Sequence, residues 1–345
     1  MTREEIQKLV NKGSVTQTGL LDSEKILKED KETFAAHHIN HPDVAEQFIN
    51  ANEEETPEVP PVVDPDPEEP AKSPEEVGAD FSAALKTGGG DVVLEGDAAV
   101  EERMQVTKAT NVDLGGNTIT STVNGKDALI VSGASSAVDV KIANGTFISE
   151  GTDDAYGVIA VQKSPALTLE NLTVQGKNPV MVYSTGAPTI TINSGEYTGT
   201  GAQAVYYYKG AGQLVINGGT FKSEPYEGKY YTLNIKDDQR AEDIRSQISV
   251  RGGKFYNFNP EDCISEGAGT DFVEPGYMVG SYDEGADKVY VVEKYDPNNE
   301  SDFHIEGDHT IYWNNENARK RLGLTDSTSP SVDPKEEGNG DDFNF

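Results

Sequence analysis

The sequence predicts an all-β chain folded as a parallel β-helix, a single-stranded solenoid, and three observations predict it. First, between Val112 and Phe255 a short phrase is written six times: VDLGGNTI, VKIANGTF, LTLENLTV, ITINSGEY, LVINGGTF and ISVRGGKF. The copies end at Ile119, Phe147, Val174, Tyr197, Phe221 and Phe255, roughly two to three dozen residues apart, a period that belongs to solenoids. Second, another kind of apolar run stands between the copies: Leu129 to Val131, Val158 to Val161, Val180 to Val182, Val205 to Tyr207 and Leu233 to Ile235. Third, no helical pattern long enough for a crossover separates these runs, which argues against a doubly wound sheet. Tight hairpins of the kind a propeller blade needs are also missing inside the array.

Each copy reads as strand, bend, strand. Seven residues before the terminal position stand Val112, Val140, Leu167, Ile190, Leu214 and Ile248; five before stand Leu114, Ile142, Leu169, Ile192, Ile216 and Val250. They alternate with polar residues, the period of a half-buried strand. Three before come Gly116, Asn144, Asn171, Ser194, Gly218 and Gly252, which suit a left-handed backbone or a side-chain-bonded turn. Asn144, Asn171 and Ser194 are expected to stack as an internal polar ladder. A unit of this kind cannot bury its apolar face alone, so the copies must stack. An antiparallel sandwich with chance self-similarity is the alternative.

Residues 1–51 carry short helical patterns, with Ile6, Leu9, Val10, Phe34 and Phe48 on apolar faces too narrow for an independent core. Such a segment orders against something else, and these five residues are the candidate anchor. His37, His38 and His41 have the chemistry of ligands, but no carboxylate or Cys pattern completes a site, so capping or surface roles are expected and no metal. Residues 52–77 turn to Glu, Asp and Pro, a semi-rigid acidic spacer.

The solenoid, residues 78–296, opens with a short helix over Asp80–Leu85 that presents Phe81, Ala84 and Leu85 to the exposed end of the first coil. The last interval holds an insertion with an expected helix over Asp238–Ser246. After Phe255, strands about Tyr277–Tyr282 and Val289–Lys294 predict a β-hairpin that closes the far end. In residues 297–345 the pattern fades; Ile305, Ile311, Tyr312, Trp313 and Leu322 predict one small docking element before an acidic tail ending Phe343-Asn344-Phe345.

Composition narrows the function. A formal net charge of −32 makes nucleic acid a poor partner, because a binder must neutralise phosphates. The start of the chain lacks the apolar core of a secretory signal, and no apolar run reaches membrane-spanning length, so neither export by that route nor a membrane partner is expected. The single cysteine, Cys263, excludes an intrachain disulfide and reads as a packed thiol.

Parallel β-helices that process polysaccharides place carboxylates across a groove. Here Asp153, Asp154, Glu170, Glu196 and Glu224 are the acidic candidates, and they do not recur in one column of adjacent coils. Arg240, Arg245 and Arg251 come late, with no acidic cluster in register. Solvated surface charge is the plainer reading, so no catalytic or cofactor-binding residue is assigned. The remaining feature is aromatic: of Tyr206, Tyr207 and Tyr208, and of Tyr226, Tyr230 and Tyr231, alternation turns one of each set inward. Tyr206, Tyr208, Tyr226 and Tyr230 are the candidate contacts for a glycan or a protein surface, against a reading in which they only fill the pleat.

The run GGKFYNFNPEDCISEGAGTDFVEPGYMVGSYDEGADKVYVVEKY, with the NGTF, SGEY and GGTF bends before it, resembles the pectin-lyase-like β-helix proteins encoded by tailed phages of gut Bacteroidales and related prophages. The resemblance covers about residues 78–296 and implies a right-handed helix. It also implies a virion surface protein of the head-fibre or spike type: a homo-oligomer on the capsid surface, made in the host cytoplasm, and fixed to the major capsid or another virion protein by its N-terminal segment. The expected function is a capsid-attached head fibre or decoration protein, with host-surface or glycan adhesion. The alternative is a tail-spike-like lyase or glycosidase that depolymerises a host capsular polysaccharide, although the catalytic residues of such enzymes find no match here.

Overall fold

The computed structural model describes residues 71–263, 266–267 and 269–324. The anchor candidates, the His cluster, most of the acidic spacer and the C-terminal tail lie outside the described residues.

The chain winds as a parallel β-solenoid. In one coil the strands are Thr189–Ile192, Gly195–Gly199 and Val205–Lys209; in the next they are Gln213–Ile216, Thr220–Ser223 and Leu233–Ile235. Each strand pairs in parallel with its equivalents in the coils before and after, except Leu233–Ile235, which ends its sheet and pairs only with the coil before. The inter-copy runs form a separate six-stranded sheet, stacking Met104, Leu129, Ile159, Val180, Val205 and Leu233 in one column. Inside, the terminal column Ile119, Phe147, Val174, Tyr197, Phe221 and Phe255 stacks in register and is buried throughout. Burying each such side chain contributes on the order of 1.5–3 kcal/mol, and a column repeats that gain at every coil.

Register corrects one expected column. Val112 pairs with Ile142, and Thr110 stands opposite Val140. Seven positions separate Val112 from Ile119 and five separate Ile142 from Phe147, yet Ile119 and Phe147 are partners. The first copy therefore carries a longer bend. Gly115 and Gly116, at φ 60° and 80°, accommodate the extra residues, and Leu114 folds inward to fill the space they open.

The polar ladder is a second correction. Asn171 Nδ2 donates to Asn144 Oδ1 at 3.1 Å, Asn144 Nδ2 to Asp113 Oδ1 at 3.2 Å, and the Asn171 amide to Ser194 Oγ at 2.8 Å. It lies on the outside, since Asn144 and Asn171 are exposed. Their left-handed φ values, 61° and 51°, turn the chain at the bend and carry the side chains outward.

The near end is closed by a helix, Pro74–Thr87, longer than expected and starting within the acidic spacer. Ser73 and Glu76 form a reciprocal capping box with Pro74 at the first turn, which fixes the start. Phe81 and Leu85 are buried as expected, whereas Ala84 faces out and Gly78 is buried instead. A Cβ on Gly78 would stand 2.2 Å from the Ala99 carbonyl oxygen, so the missing side chain lets the helix seat on the first coil.

The far end is closed in two layers. Phe258, Cys263, Phe272 and Val273 continue the core past Phe255. The hairpin Tyr277–Glu284 and Asp287–Lys294 then adds antiparallel to Gly253–Tyr256. The docking element is a second hairpin, Phe303–Glu306 and His309–Trp313, followed by the helix Asn315–Arg321. The insertion holds two short 3-10 turns, Asp237–Gln239 and Ile244–Ser246, in place of the expected helix. Gln247 breaks it, because its side chain accepts from the Ala241 amide and donates to the Gln239 carbonyl, taking up groups a helix would have paired.

Candidate functional site

Two outer surfaces of the solenoid gather chemistry. On the outer face of the six-stranded sheet, alternation turns Tyr207 inward, where it is buried and its hydroxyl donates to the Gly212 carbonyl at 2.6 Å. Tyr206 and Tyr208 point outward and meet edge to face, with ring centroids 5.6 Å apart. A register shift between Val182 and Tyr183 pairs Tyr183 with Lys209, and Tyr183 comes to rest 5.2 Å from the Tyr208 ring. Lys236 Nζ sits 4.7 Å from the centre of the Tyr208 ring and 3.2 Å from Asp238 Oδ2. Its hydrogen bond to Asp238 raises the ammonium pKa further above pH 7, so the cation stays charged. Burial raises the Tyr206 phenol as well, which keeps its proton available as a donor.

Tyr183 completes this cluster and was not among the candidates. The signal for it is the fourth residue of VMVY, on the strand adjoining the tyrosine run. Tyr226 and Tyr230 lie apart from any regular strand. Tyr226 is exposed on a turn closed by Lys229 and packs edge-on against Tyr231, while Tyr230 is half-buried against the core. Strand alternation therefore does not govern the second tyrosine set.

The other surface is a groove of about 540 Å³ along the bends. It exists because Gly195, Gly219 and Gly253 succeed one another there at φ 118°, 111° and 113°. A Cβ on Gly195 would lie 2.3 Å from the Leu172 carbonyl oxygen, so the bends approach backbone to backbone and leave no side chain to fill the hollow. Its wall is the outward column Thr173, Glu196, Thr220 and Lys254. Glu293 and Glu306, from the two closing hairpins, shut its far end, and Lys254 Nζ lies 3.2 Å from Glu306 Oε1.

Of the acidic candidates, only Glu196 lines this groove. Glu170 pairs with Lys141 at 2.8 Å and Asp154 with Lys177 at 3.2 Å, both on the surface. Asp153 accepts from the Ala155 amide, and Glu224 is exposed. The carboxylates that join Glu196 come from about a hundred residues further along the chain, beyond the reach of a repeat pattern.

The three late arginines do have acidic partners, contrary to expectation. Arg240 Nη2 lies 2.5 Å from Glu266 Oε2, Arg245 Nη1 lies 3.9 Å from Asp271 Oδ2, and Arg251 grips Glu274 through Nε and Nη2 at 2.8 and 2.9 Å. The partners come from the segment that covers the last coil, so these pairs are structural seals.

No group of three or more His, Cys, Asp or Glu side chains able to hold a metal occurs among the described residues, and no helix there is long and apolar enough to cross a membrane. Comparison of the chain with known protein families, with curated proteins and with solved structures finds no match.

Proposed function

We propose that the chain is a virion structural protein, a capsid-attached head fibre or decoration protein that displays its β-solenoid on the particle surface for adhesion to a host glycan. One observation carries the reading most: the solenoid is closed at both ends, by Pro74–Thr87 at one and by the segments after Phe255 at the other. A capped solenoid is a self-contained body whose coils are not left open to stack without limit on further copies. Its predicted attachment is a Pro- and Glu-rich spacer and an N-terminal segment with narrow apolar faces, the organisation of a displayed domain. The resemblance of residues 78–296 to phage β-helix proteins supports the virion setting. The Tyr183, Tyr206 and Tyr208 cluster supports adhesion, since ring faces and phenol hydroxyls suit sugar rings.

The test is incorporation into particles. A chain lacking residues 1–51 is expected to fold and to be absent from purified virions, while the full chain is located on the capsid by cryo-electron microscopy. Incorporation of the truncated chain would remove the anchor assignment; density at the tail tip would replace the head reading with a spike.

The bend groove favours a second reading, a depolymerase, because Glu196, Glu293 and Glu306 line one hollow. Glycan cleavage by the full chain, lost in Glu196→Gln, would establish it.

A further inference from the structure

Among the described residues, the strand Phe303–Glu306 ends the larger sheet, with a neighbour, His309–Trp313, on one side only. The ladder sets the direction of its backbone groups. Trp313 donates its amide to the Asp302 carbonyl at 3.0 Å, and hydrogen-bonded positions alternate along an antiparallel strand. His304 and Glu306 therefore bond inward to His309–Trp313, while the amides and carbonyls of Phe303 and Ile305 point away from it. At Phe303 the Ser301 hydroxyl takes up those groups, donating to the carbonyl at 2.6 Å and accepting from the amide at 3.4 Å. Ile305 presents its outward pair at the open edge.

The surface beside it is apolar. Ile305 is 63% exposed, Phe303 50% and Tyr312, directly across from Phe303, 65%, on the face opposite the buried Ile311. Edge strands are ordinarily blunted by brevity, charge, proline or a bulge; FHIE is four residues long and carries Glu306, but it has no lysine, proline or bulge.

We propose that Phe303–Glu306 is a self-pairing edge at which a second copy of this chain adds antiparallel about a two-fold axis at Ile305. In that register each Ile305 amide donates to the Ile305 carbonyl of the other copy. His304 of each copy then stands across from Glu306 of the other, so imidazole and carboxylate meet twice, with Glu306 Oε1 also held by Lys254 of its own chain. An axis at His304 would present backbone groups already used within the hairpin, and one at Phe303 would meet groups that Ser301 occupies. Among axes on a residue, the free backbone groups thus select Ile305, and the two His304–Glu306 pairs, set against Asp302 facing Asp308 beyond the strand ends, favour a second copy over an unrelated strand. The interface does not rest on the virion reading, which expects a homo-oligomer without naming its contact. A monomeric chain would count against that oligomer too, while attachment to the particle is tested separately by incorporation.

The full chain is to be studied by sedimentation velocity across a concentration series. The expected result is a reversible species of twice the 37.2 kDa chain mass. Ile305→Pro removes the outward amide without touching the bonds to His309–Trp313, and is expected to yield a monomer with an unchanged near-ultraviolet spectrum. Oxidised Ile305→Cys is expected to cross-link into a dimer much faster than Tyr312→Cys, since facing Cα atoms in a hydrogen-bonded pair lie about 5.5 Å apart. Cys263 is buried and does not compete. A chain that stays monomeric up to its solubility limit overturns the proposal, as does association that Ile305→Pro leaves intact. If the proline variant loses its hairpin, the cross-linking decides: equal rates for the two cysteine variants overturn the proposal and a large excess at position 305 upholds it.

Discussion

The rings of Tyr197 and Phe221, from successive coils, stack with centroids 5.1 Å apart and planes 10° apart, and Phe221 repeats the contact with Phe255 at 5.0 Å and 11°. Three rings thus stack one on another through the core, and Phe221 stands at the centre. Phe221→Ala would open a cavity walled by two aromatic rings, with an expected cost of about 3–5 kcal/mol. Phe221→Leu keeps most of the volume and is expected to lose clearly less. Urea unfolding monitored by circular dichroism measures both; equal midpoints for Phe221→Ala and the parent would contradict the stacked column.

Such columns were legible because the alternation of apolar and polar residues has the period of a strand, and each copy keeps its own terminal aromatic or aliphatic residue. The misassigned partner of Val112 shows where that logic stops. A longer bend moves the first strand relative to the second, and only pairing with Ile142 reveals it. The Asn144 and Asn171 ladder was legible as a column but not as an outer one, since sidedness at a bend depends on backbone φ. For the candidate site, Tyr206 and Tyr208 could be read from a run of tyrosines, whereas Tyr183 joins them through an irregularity in pairing that has no sequence period. The groove carboxylates Glu293 and Glu306 and the partners of the late arginines arrive through the fold of the closing segment, a non-local event that repeats cannot report.

Tyr183 and Tyr208 sit on the surface and away from the core column, so replacing them tests adhesion without touching the solenoid. The double variant Tyr183→Ala, Tyr208→Ala is expected to melt within a few degrees of the parent and to lose at least about tenfold in affinity for host-cell surface glycan, the equivalent of about 1.4 kcal/mol. Tyr226→Ala, on its separate turn, is expected to bind as the parent does. Glycan-array binding supplies the comparison. Undiminished binding by the double variant would move the adhesive surface elsewhere.

Burial lifts the Glu266 carboxyl to about 7 from the ordinary 4.5, outweighing the opposing pull of Arg240. A raised pKa means that the folded chain holds this proton more tightly than the unfolded one. The resulting stability is fully present below about pH 4.5 and is lost as pH rises to about 7. The slope from this one group is at most about 1.4 kcal/mol per pH unit. Glu266→Gln retains an acceptor for the Ile235 amide and removes the titration. Against pH, the stability of the parent relative to this variant is expected to fall between those limits and to level off above them, as read from thermal midpoints. Parallel curves would show that Glu266 stays ionised in the folded chain.

Arg321 ties the last helix to the closing segment. Its Nη1 lies 3.0 Å from Glu261 Oε2 and 3.3 Å from Asp271 Oδ2, and its Nη2 donates to the Tyr277 carbonyl at 2.9 Å. The Arg321 and Glu261 side chains are only 6% and 4% exposed, so the pair is removed from water and screened little by salt. Arg321→Ala leaves the Glu261 carboxylate buried, with Asn314 Nδ2 at 2.7 Å as its remaining hydrogen-bonded side chain, and such an uncompensated charge costs about 3–5 kcal/mol. Because helix and hairpin lie outside the stacked coils, the loss is expected to appear as local opening. Amide exchange should rise across residues 303–321 while Ile192, Tyr207 and Ile216 stay protected. Arg321→Met combined with Glu261→Gln removes both charges and is expected to recover part of the protection, since a neutral pair carries a smaller desolvation penalty. Exchange that rises equally in the coils and in the docking element would mean that the element is integral to the solenoid, and that Arg321 holds the whole fold and not only its end.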